Sequence, residues 1–441
     1  MPSSLAPLTD RVWTDQLERH VGEPVELKGW LHRLRRLAEV SFLILRDARG
    51  TAQVVIHDAA LVERIAALQN ESVLSVRGGV VAEPQAPGGV EIHEPEITVI
   101  SEAQEAPPFD LYRPVIRAQL PTILDSAPVA LRHPRRRAYF AMQAASMAGF
   151  RQTLRQLRFT EIQTPKIVGS ATESGANVFA LDYFGRPAYL AQSPQFYKQV
   201  MVGVFERVYE VGPVFRAEPH DTARHINEYV SLDAEMGFIE NERTVMAVLT
   251  EVIRGMAAAI GEEAASALAL LGITLPEVPG VVPDVHFLDA QAMITAATGE
   301  DLSHEPDLSP ANERWLGEWA RREHGSDFVF VRGFPMSKRP FYTARDPERP
   351  DFAAGFDLLF RGMELVTGGQ RLHRYQDYVD EITRRGDDPA NYADYLMAFR
   401  HGMPPHGGFA IGLERWIGQL VDAANIRETT LFPRDINRLS P

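Results

Sequence analysis

Val208-Tyr-Glu-Val-Gly-Pro-Val-Phe-Arg-Ala-Glu218, a polar loop, and Tyr229-Val-Ser-Leu-Asp-Ala-Glu-Met-Gly-Phe238 form the stretch around which the chain is organised. The first segment is rich in β-branched and aromatic residues, and the second alternates apolar and polar at period two, so both predict strands. Successive strand side chains point to opposite faces. Arg216 and Glu218 therefore share one face, with Phe215 on the other. Tyr229, Asp233 and Glu235 share a face, and Val230, Leu232 and Met236 turn away. The loop between holds Arg224 and His225. An antiparallel pair with cations, carboxylates and an aromatic ring on one face suits a charged, planar ligand. A solvated sheet face has the same pattern, so the rest of the chain must decide.

With 441 residues, the length predicts two or three domains with ample core. Hydrophobic residues make up 45% and charged residues 24%, ordinary for a soluble globular protein. We find no apolar run of membrane-spanning length and no signal peptide, and the cytoplasm is the default expectation. With no cysteine, disulfides and thiolate metal sites are excluded. A net charge of −14 argues against nonspecific coating of nucleic acid but allows a local basic surface.

Working outward to the N-terminus, Thr9 to His20 reads as a lead-in helix, and from Glu23 the texture is all β. Five strand-like runs follow, with a short helix, Leu61 to Leu68, between the third and fourth. That order predicts an OB-fold barrel, a fold that commonly binds single-stranded nucleic acid. Lys28, Arg33, Arg35, Arg36 and Arg46 supply positive charge, and Phe42 and Gln53 sit on neighbouring strands. An aromatic ring can stack a splayed base and an amide can read its edge. A polar, Pro-containing linker begins at Ser101.

Beyond it, Arg132 to Arg158 is a long amphipathic helix, and Phe159 to Val168 a strand with Pro165 at an edge or bulge. Ser193-Pro194 starts a helix that puts Gln195 and Lys198 on one face. Thr244 to Ile260 is an apolar-striped helix. Phe352 to Val366 reads as one strand running into Thr367-Gly-Gly-Gln-Arg371. The close is a Gly-rich strand and a helix with Arg415.

Together these stretches resemble the class II aminoacyl-tRNA synthetases, and within them the aspartyl family of the archaeal and eukaryotic type. Three motifs carry the resemblance in order: Phe159 to Ile167 with Pro165; Phe215-Arg-Ala-Glu218 with its loop and return strand to Phe238; and Gly407-Gly-Phe-Ala-Ile-Gly-Leu-Glu-Arg415. Gln192-Ser-Pro-Gln-Phe-Tyr-Lys-Gln199 and Gly368-Gly-Gln-Arg371 are the family-specific pieces. The large extra domain of the bacterial form has no room here. The resemblance implies an α+β fold: an OB-fold anticodon-binding domain over 1–104, a hinge over 105–131, and a class II catalytic domain over 132–441, an antiparallel sheet flanked by helices with a small insertion around 261–325.

It also implies roles. Arg216 and Arg415 would be the catalytic pair, on the α- and γ-phosphates of ATP. Tyr229 would stack the adenine, Glu218 would meet the adenine or the tRNA end, and Arg224 and His225 the terminal phosphates. Ala217, Ile226, Gly412, Leu413 and Glu414 would complete the ATP site. Glu364 and Thr367 would hold Mg²⁺, a hard cation that takes oxygen ligands. Lys198 and Arg371 would meet the side-chain carboxylate of L-aspartate, with Asp233 orienting Lys198. Glu173, Ser193 and Gln195 would meet its ammonium, and Arg216 and Thr367 would also border it. Asparaginyl relatives lack the lysine.

On the barrel, Phe42, Gln53, Arg33 and Arg35 would read the anticodon. His32 and Pro87 match positions that mark enzymes accepting both tRNA(Asp) and tRNA(Asn), and a tRNA-dependent amidotransferase would then be a partner. A homodimer is implied through the long helix and the Pro165 strand. A catalytically silent RNA-binding paralogue would not need Arg216, Glu364, Arg371 and Arg415 all at once, and a tRNA-independent asparagine synthetase would lack the barrel. Met336-Ser-Lys338 has no class I partner motif, and no P-loop is present. His401 and His406 lack metal-ligand context.

Overall fold

The computed structural model describes residues 11–169 and 177–441. It forms two compact units, one running to Arg137 and including Pro441, the other spanning Ala138–Ser440.

In the first unit, a 3₁₀ turn, Thr14–His20, stands where a helix from Thr9 was expected. Then come β1 (Pro24–Arg36), β2 (Ser41–Arg46), β3 (Thr51–Ile56), α1 (Ala59–Ala66), β4 (Val73–Ala82) and β5 (Val90–Ser101). The strands close into a barrel of order β1-β2-β3-β5-β4, filled by Leu27, Leu31, Leu43, Leu45, Val54, Leu74 and Ile92. Asp58 caps α1 by accepting from the Ala60 N–H. The ladder of β1 on β2 slips between Leu31 and Arg33, so His32 is the extra residue of a β-bulge. After the barrel, α2 (Leu120–Asp125) and α3 (Ala127–Ala130) gather around a small cluster of Leu111, Ile116, Ile123 and Ala130.

The helix α4 (Pro134–Gln156) leads into β6 (Thr160–Glu161), β7 (Ile167–Val168), β8 (Ala180–Tyr183), β9 (Arg186–Leu190), α5 (Gln195–Phe205), β10 (Arg207–Phe215) and β11 (Glu228–Gly237). Next come α6 (Glu242–Glu263), α7 (Ala265–Leu271), β12 (Asp284–His286), α8 (Phe287–Thr298), α9 (Pro310–His324), β13 (Phe328–Arg332), β14 (Gly355–Phe360) and β15 (Met363–Gln370). The last elements are α10 (Tyr375–Arg384), α11 (Ala393–Arg400), β16 (His406–Gly412) and α12 (Leu413–Leu420).

An eight-stranded sheet of order β12-β13-β14-β15-β16-β11-β10-β6 dominates the second unit. Its interior pairings are antiparallel, while the two edge strands run parallel to their neighbours, so the sheet is mixed. The helix α6 is long and apolar enough to cross a membrane by composition, a property the sequence reading had not credited to it. Here it buries Val245, Leu249, Val252, Ile253, Met256 and Ile260 in the core under the sheet.

Two expected strands are each two elements. Phe159 to Val168 is interrupted because Thr164 gives its N–H and hydroxyl to Glu210, and Pro165 has no N–H for a ladder. Phe352 to Val366 folds back on itself at Arg361-Gly362, both at positive φ (48° and 74°), a geometry that suits a tight hairpin turn. The register of this hairpin also slips between Leu358 and Leu359, with Leu365 left over as a bulge.

One ion network ties a segment beside the sheet to α10. Glu381 is buried and accepts from Arg345 Nη2 at 3.1 Å, Arg384 Nε at 3.0 Å and Arg385 Nε at 2.8 Å. Burial alone would raise this carboxyl, but the three arginines outweigh it and hold it at about 2. Glu381→Gln should cost about 1–3 kcal/mol in urea unfolding at neutral pH. A depressed carboxyl stabilises above its ordinary range and loses that effect as pH falls. The gap between wild type and variant should therefore close toward pH values near 2.

Candidate active site and nucleic-acid face

Along β11, Tyr229, Ser231, Asp233 and Glu235 lie on one face, as the period-two reading requires. Their cross-strand partners on β16 are small: Ser231 faces Gly412, Asp233 faces Ala410, and Glu235 faces Gly408. On β15, Thr367 and Gly369 continue the same lines. A row of polar side chains beside a row of glycine and alanine makes a trough. An added Cβ at Gly408 would lie 2.1 Å from both the Ala234 carbonyl oxygen and Glu235 Oε2, so only glycine fits there.

At one end of the trough, Lys198 from α5 and Arg371, the residue just past β15, meet on a shared carboxylate. Lys198 Nζ lies 3.4 Å from Glu235 Oε2 and 2.9 Å from Asp233 Oδ1, and donates to the Phe409 carbonyl at 3.2 Å. Arg371 Nε donates to Glu235 Oε1 at 3.0 Å, and Nη2 to the Gly408 carbonyl at 3.1 Å. Lys198 is 1% exposed and Glu235 0%, so these charges exist only because they are matched. Burial would raise Glu235, but Arg371 and Lys198 together keep it below the usual carboxylate range. Glu235 was read on the correct face but given no role.

Gln195 donates to Gln199 Oε1 at 3.0 Å, and Arg371 Nη2 lies 3.5 Å from Gln195 Oε1. Gln199 in turn donates to Tyr378 and to His406 Nε2. Ser193 Oγ accepts the Gln195 N–H at 3.1 Å just ahead of α5, but the cap position falls on Pro194 and not, as expected, on Ser193, because the helix begins one residue later, at Gln195. Glu173 lies outside the described residues.

The other end of the trough opens into a cleft lined by Arg216, Glu218, Arg224, His225, Ile226 and Tyr229 from the β10–β11 hairpin. From across the sheet come Glu364, Thr367, Gly412, Glu414 and Arg415. The Arg216 guanidinium stands 5.6 Å over the Tyr229 ring and 3.9 Å from Glu218. Two of the expected residues do not project into this space. Leu413 packs in the core, because it begins α12 on the buried side, and Ala217 gives its N–H to the Asn177 carbonyl. Glu414 is nearly buried and accepts the Val230 N–H at 3.1 Å, so it braces β11; burial pushes its carboxyl up to about 7.

Acidic groups converge on the wall opposite Arg216. The bulge at Leu365 turns Glu364 to the face of Thr367, whose hydroxyl donates to Glu364 Oε1 at 2.8 Å. Asp357 lies directly across from Thr367 on β14. Its Oδ2 is held by Arg339 at 2.9 Å, while its buried Oδ1 has no hydrogen-bond partner among the described residues. Burial and the neighbouring Glu364 push Asp357 up to about 6. Glu313, from α9, accepts the Glu364 N–H at 3.3 Å and lies 3.8 Å from Arg224. Burial first, and Glu364 second, push it up to about 7. Neither Asp357 nor Glu313 was singled out from sequence. Glu364 and Thr367 offer the oxygen donors a hard divalent cation takes, but no group of three or more acidic or histidine side chains that could hold a metal occurs among the described residues.

On the barrel, Arg33 pairs with Ile44 and Arg35 with Phe42, while Ile44 pairs with Gln53, so Arg33, Arg35, Phe42 and Gln53 share one outer face. Gln53 donates to Glu91 Oε2 at 3.0 Å, a bond that uses its amide nitrogen and not its carbonyl oxygen. Pro87 is exposed in a 3₁₀ turn. His32 was expected among the anticodon residues. The bulge instead leaves it 8% exposed, with Nδ1 4.0 Å from Glu71 Oε1.

The family described as class II tRNA synthetases (D, K and N) matches residues 120–436, and the OB-fold nucleic acid binding domain matches residues 25–100. The chain is 45% identical to the aspartate–tRNA(Asp/Asn) ligase of Thermus thermophilus, over 98% of this chain and all of that one. It is 38% identical to the aspartate–tRNA(Asp) ligase of Thermococcus kodakarensis, over 95% of this chain and 97% of that one. Among solved structures, asparaginyl-tRNA synthetase from Pyrococcus horikoshii with asparaginyl-adenylate superposes at a TM-score of 0.91 with 29% identity, covering 98% of this chain and all of the other.

Removing the shared carboxylate should leave two buried cations short of a partner. Glu235→Gln is expected to lower stability by about 3–5 kcal/mol in chemical denaturation. A loss below about 1 kcal/mol would mean the three groups are not coupled.

Proposed function

The chain belongs to the class II tRNA synthetases of the aspartate, lysine and asparagine group, and with that as premise we propose how it ligates aspartate to tRNA and which tRNAs it serves. It is an aminoacyl-tRNA ligase, and its amino acid is aspartate. The α-carboxylate of aspartate attacks the α-phosphorus of ATP, the bond to pyrophosphate breaks, and aspartyl-adenylate forms. A hydroxyl of the terminal tRNA ribose then attacks the activated carbonyl, and AMP leaves. Such transfers need positioning and charge neutralisation more than a covalent nucleophile.

The observation that carries the substrate assignment is the convergence of Lys198 and Arg371 on Glu235. Their remaining donors face a carboxylate better than an amide, since an amide brings no charge to a site with two buried cations. Asp233 orients Lys198, and Gln195, Ser193 and Glu173 are the residues assigned to the ammonium. In the cleft, Arg216 holds the α-phosphate, where a planar guanidinium suits charge spread over several oxygens. Tyr229 stacks the adenine and Arg415 packs over its other side, reaching the γ-phosphate. Arg224 and His225 take the terminal phosphates. Glu218 meets the adenine or the tRNA end, and Ile226 and Gly412 wall the base. Glu364 and Thr367, with Asp357 alongside, would hold Mg²⁺, which when bound neutralises charge between phosphates.

We extend the proposal to tRNA choice: the enzyme charges both tRNA(Asp) and tRNA(Asn). Supporting this, the relative at 45% identity is named for both tRNAs, while the one named for tRNA(Asp) alone is at 38%. Pro87 supplies the exposed position, and His32 acts from beneath the face through Glu71. Aspartyl-tRNA(Asn) would then pass to an amidotransferase. The working enzyme is a cytoplasmic homodimer joined through α4 and the Pro165 segment.

Aspartate-dependent ATP–pyrophosphate exchange should exceed that with asparagine or lysine by at least about a hundredfold, and comparable exchange with asparagine would sink the amino-acid assignment. Transcripts of tRNA(Asp) and tRNA(Asn) should be charged with similar kcat/KM; a preference for tRNA(Asp) of about a hundredfold would refute the dual reading. Phe42→Ala should lower charging by about tenfold or more through lost stacking, with pyrophosphate exchange unchanged.

A further inference from the structure

The helix α9 reaches the edge of the nucleotide cleft from outside the three motifs. Its start is well defined: Ser309 caps it and Pro310 takes the first helical position. Its seat is equally tight. An added Cβ at Gly317 would lie 2.5 Å from the Gly362 nitrogen, and one at Gly362 would lie 2.8 Å from the Arg314 Cα. The helix therefore rests backbone to backbone on the hairpin turn that precedes Glu364. Glu313 projects from its first turn, with a side chain 14% exposed.

One oxygen of Glu313 has two neighbours. Oε2 accepts the Glu364 N–H at 3.3 Å and lies 3.8 Å from Arg224 Nη1. Arg224 is on the loop between β10 and β11, and Glu364 is on the far strand of the hairpin at the other side of the cleft. Glu313 thus joins the two walls. At 3.8 Å the contact to Arg224 is an ion pair without a good hydrogen bond, so a phosphate oxygen arriving in the cleft can take the guanidinium's donors while Glu313 keeps its direction. A carboxylate in the first turn of a helix also complements the helix dipole, so the test has to separate that structural role from this one.

We propose that Glu313 is a positioning residue for the nucleotide: it aims Arg224 at the terminal phosphates and fixes the backbone of Glu364 across from it. This rests on the ATP reading of the cleft. Glu313→Gln keeps the shape and an acceptor for the Glu364 N–H but replaces the carboxylate that faces Arg224.

The experiment is aspartate-dependent ATP–pyrophosphate exchange on the full chain, with KM for ATP and for aspartate and the melting temperature of each variant. Glu313→Gln should raise KM for ATP by about tenfold, with KM for aspartate changed by less than about twofold and the melting temperature held. In an Arg224→Ala background, the same substitution should add nothing further, since the group it aims is gone. An unchanged KM for ATP in Glu313→Gln, or an effect that multiplies with Arg224→Ala, would overturn the proposal. Wild-type enzyme without aspartate-dependent exchange would instead overturn the ATP reading itself, so the two failures are distinguishable.

Discussion

The carboxylate of Glu235, shut away from solvent between Lys198 and Arg371, is the constraint the catalytic unit is built to satisfy. A lysine ammonium and a guanidinium cannot be taken out of water singly. Once both are buried, a carboxylate must sit between them, and a glycine must stand opposite it on β16. The glycines of the third motif are therefore not loose chain. They are the clearance that lets the ion cluster lie flat on the sheet.

The same strand that carries Glu235 carries Tyr229 three pleats away, so the two proposed recognition sites are set on one rigid ruler. The second wall is adjusted by a defect. Without the bulge at Leu365, Glu364 would alternate to the face opposite Thr367. One surplus residue brings the carboxylate and hydroxyl within 2.8 Å.

What was legible in the sequence was whatever depends on period and order. The hairpin of β10 and β11, the face shared by Tyr229, Asp233 and Glu235, and the five barrel strands all follow from local pattern. What escaped was set by irregularity or by long-range packing. Arg361-Gly362 lies inside a run apolar enough to pass for one strand, so its turn and the bulge beside it were hidden. Without them, Asp357 had no visible relation to Thr367, and Glu313 none to Glu364. The burial of His32 was hidden too, because the slip in β1 that produces it leaves no mark in the local pattern. Leu413 was assigned by motif membership, although its apolar side chain belongs to the core.

The depth of the Lys198–Glu235–Arg371 cluster divides the enzyme's response to ionic strength. Mobile ions screen charges they can approach, with a Debye length of about 8 Å at physiological salt, and screen buried pairs much less. Arg216 and Arg224 stand partly open at the cleft, and Arg33 and Arg35 lie open on the barrel, whereas the cluster is sealed. On the proposed roles of these residues, rising salt would weaken what the open arginines hold and leave the sealed cluster's selection nearly unchanged. Fidelity would then be insulated from osmotic change, and throughput would not.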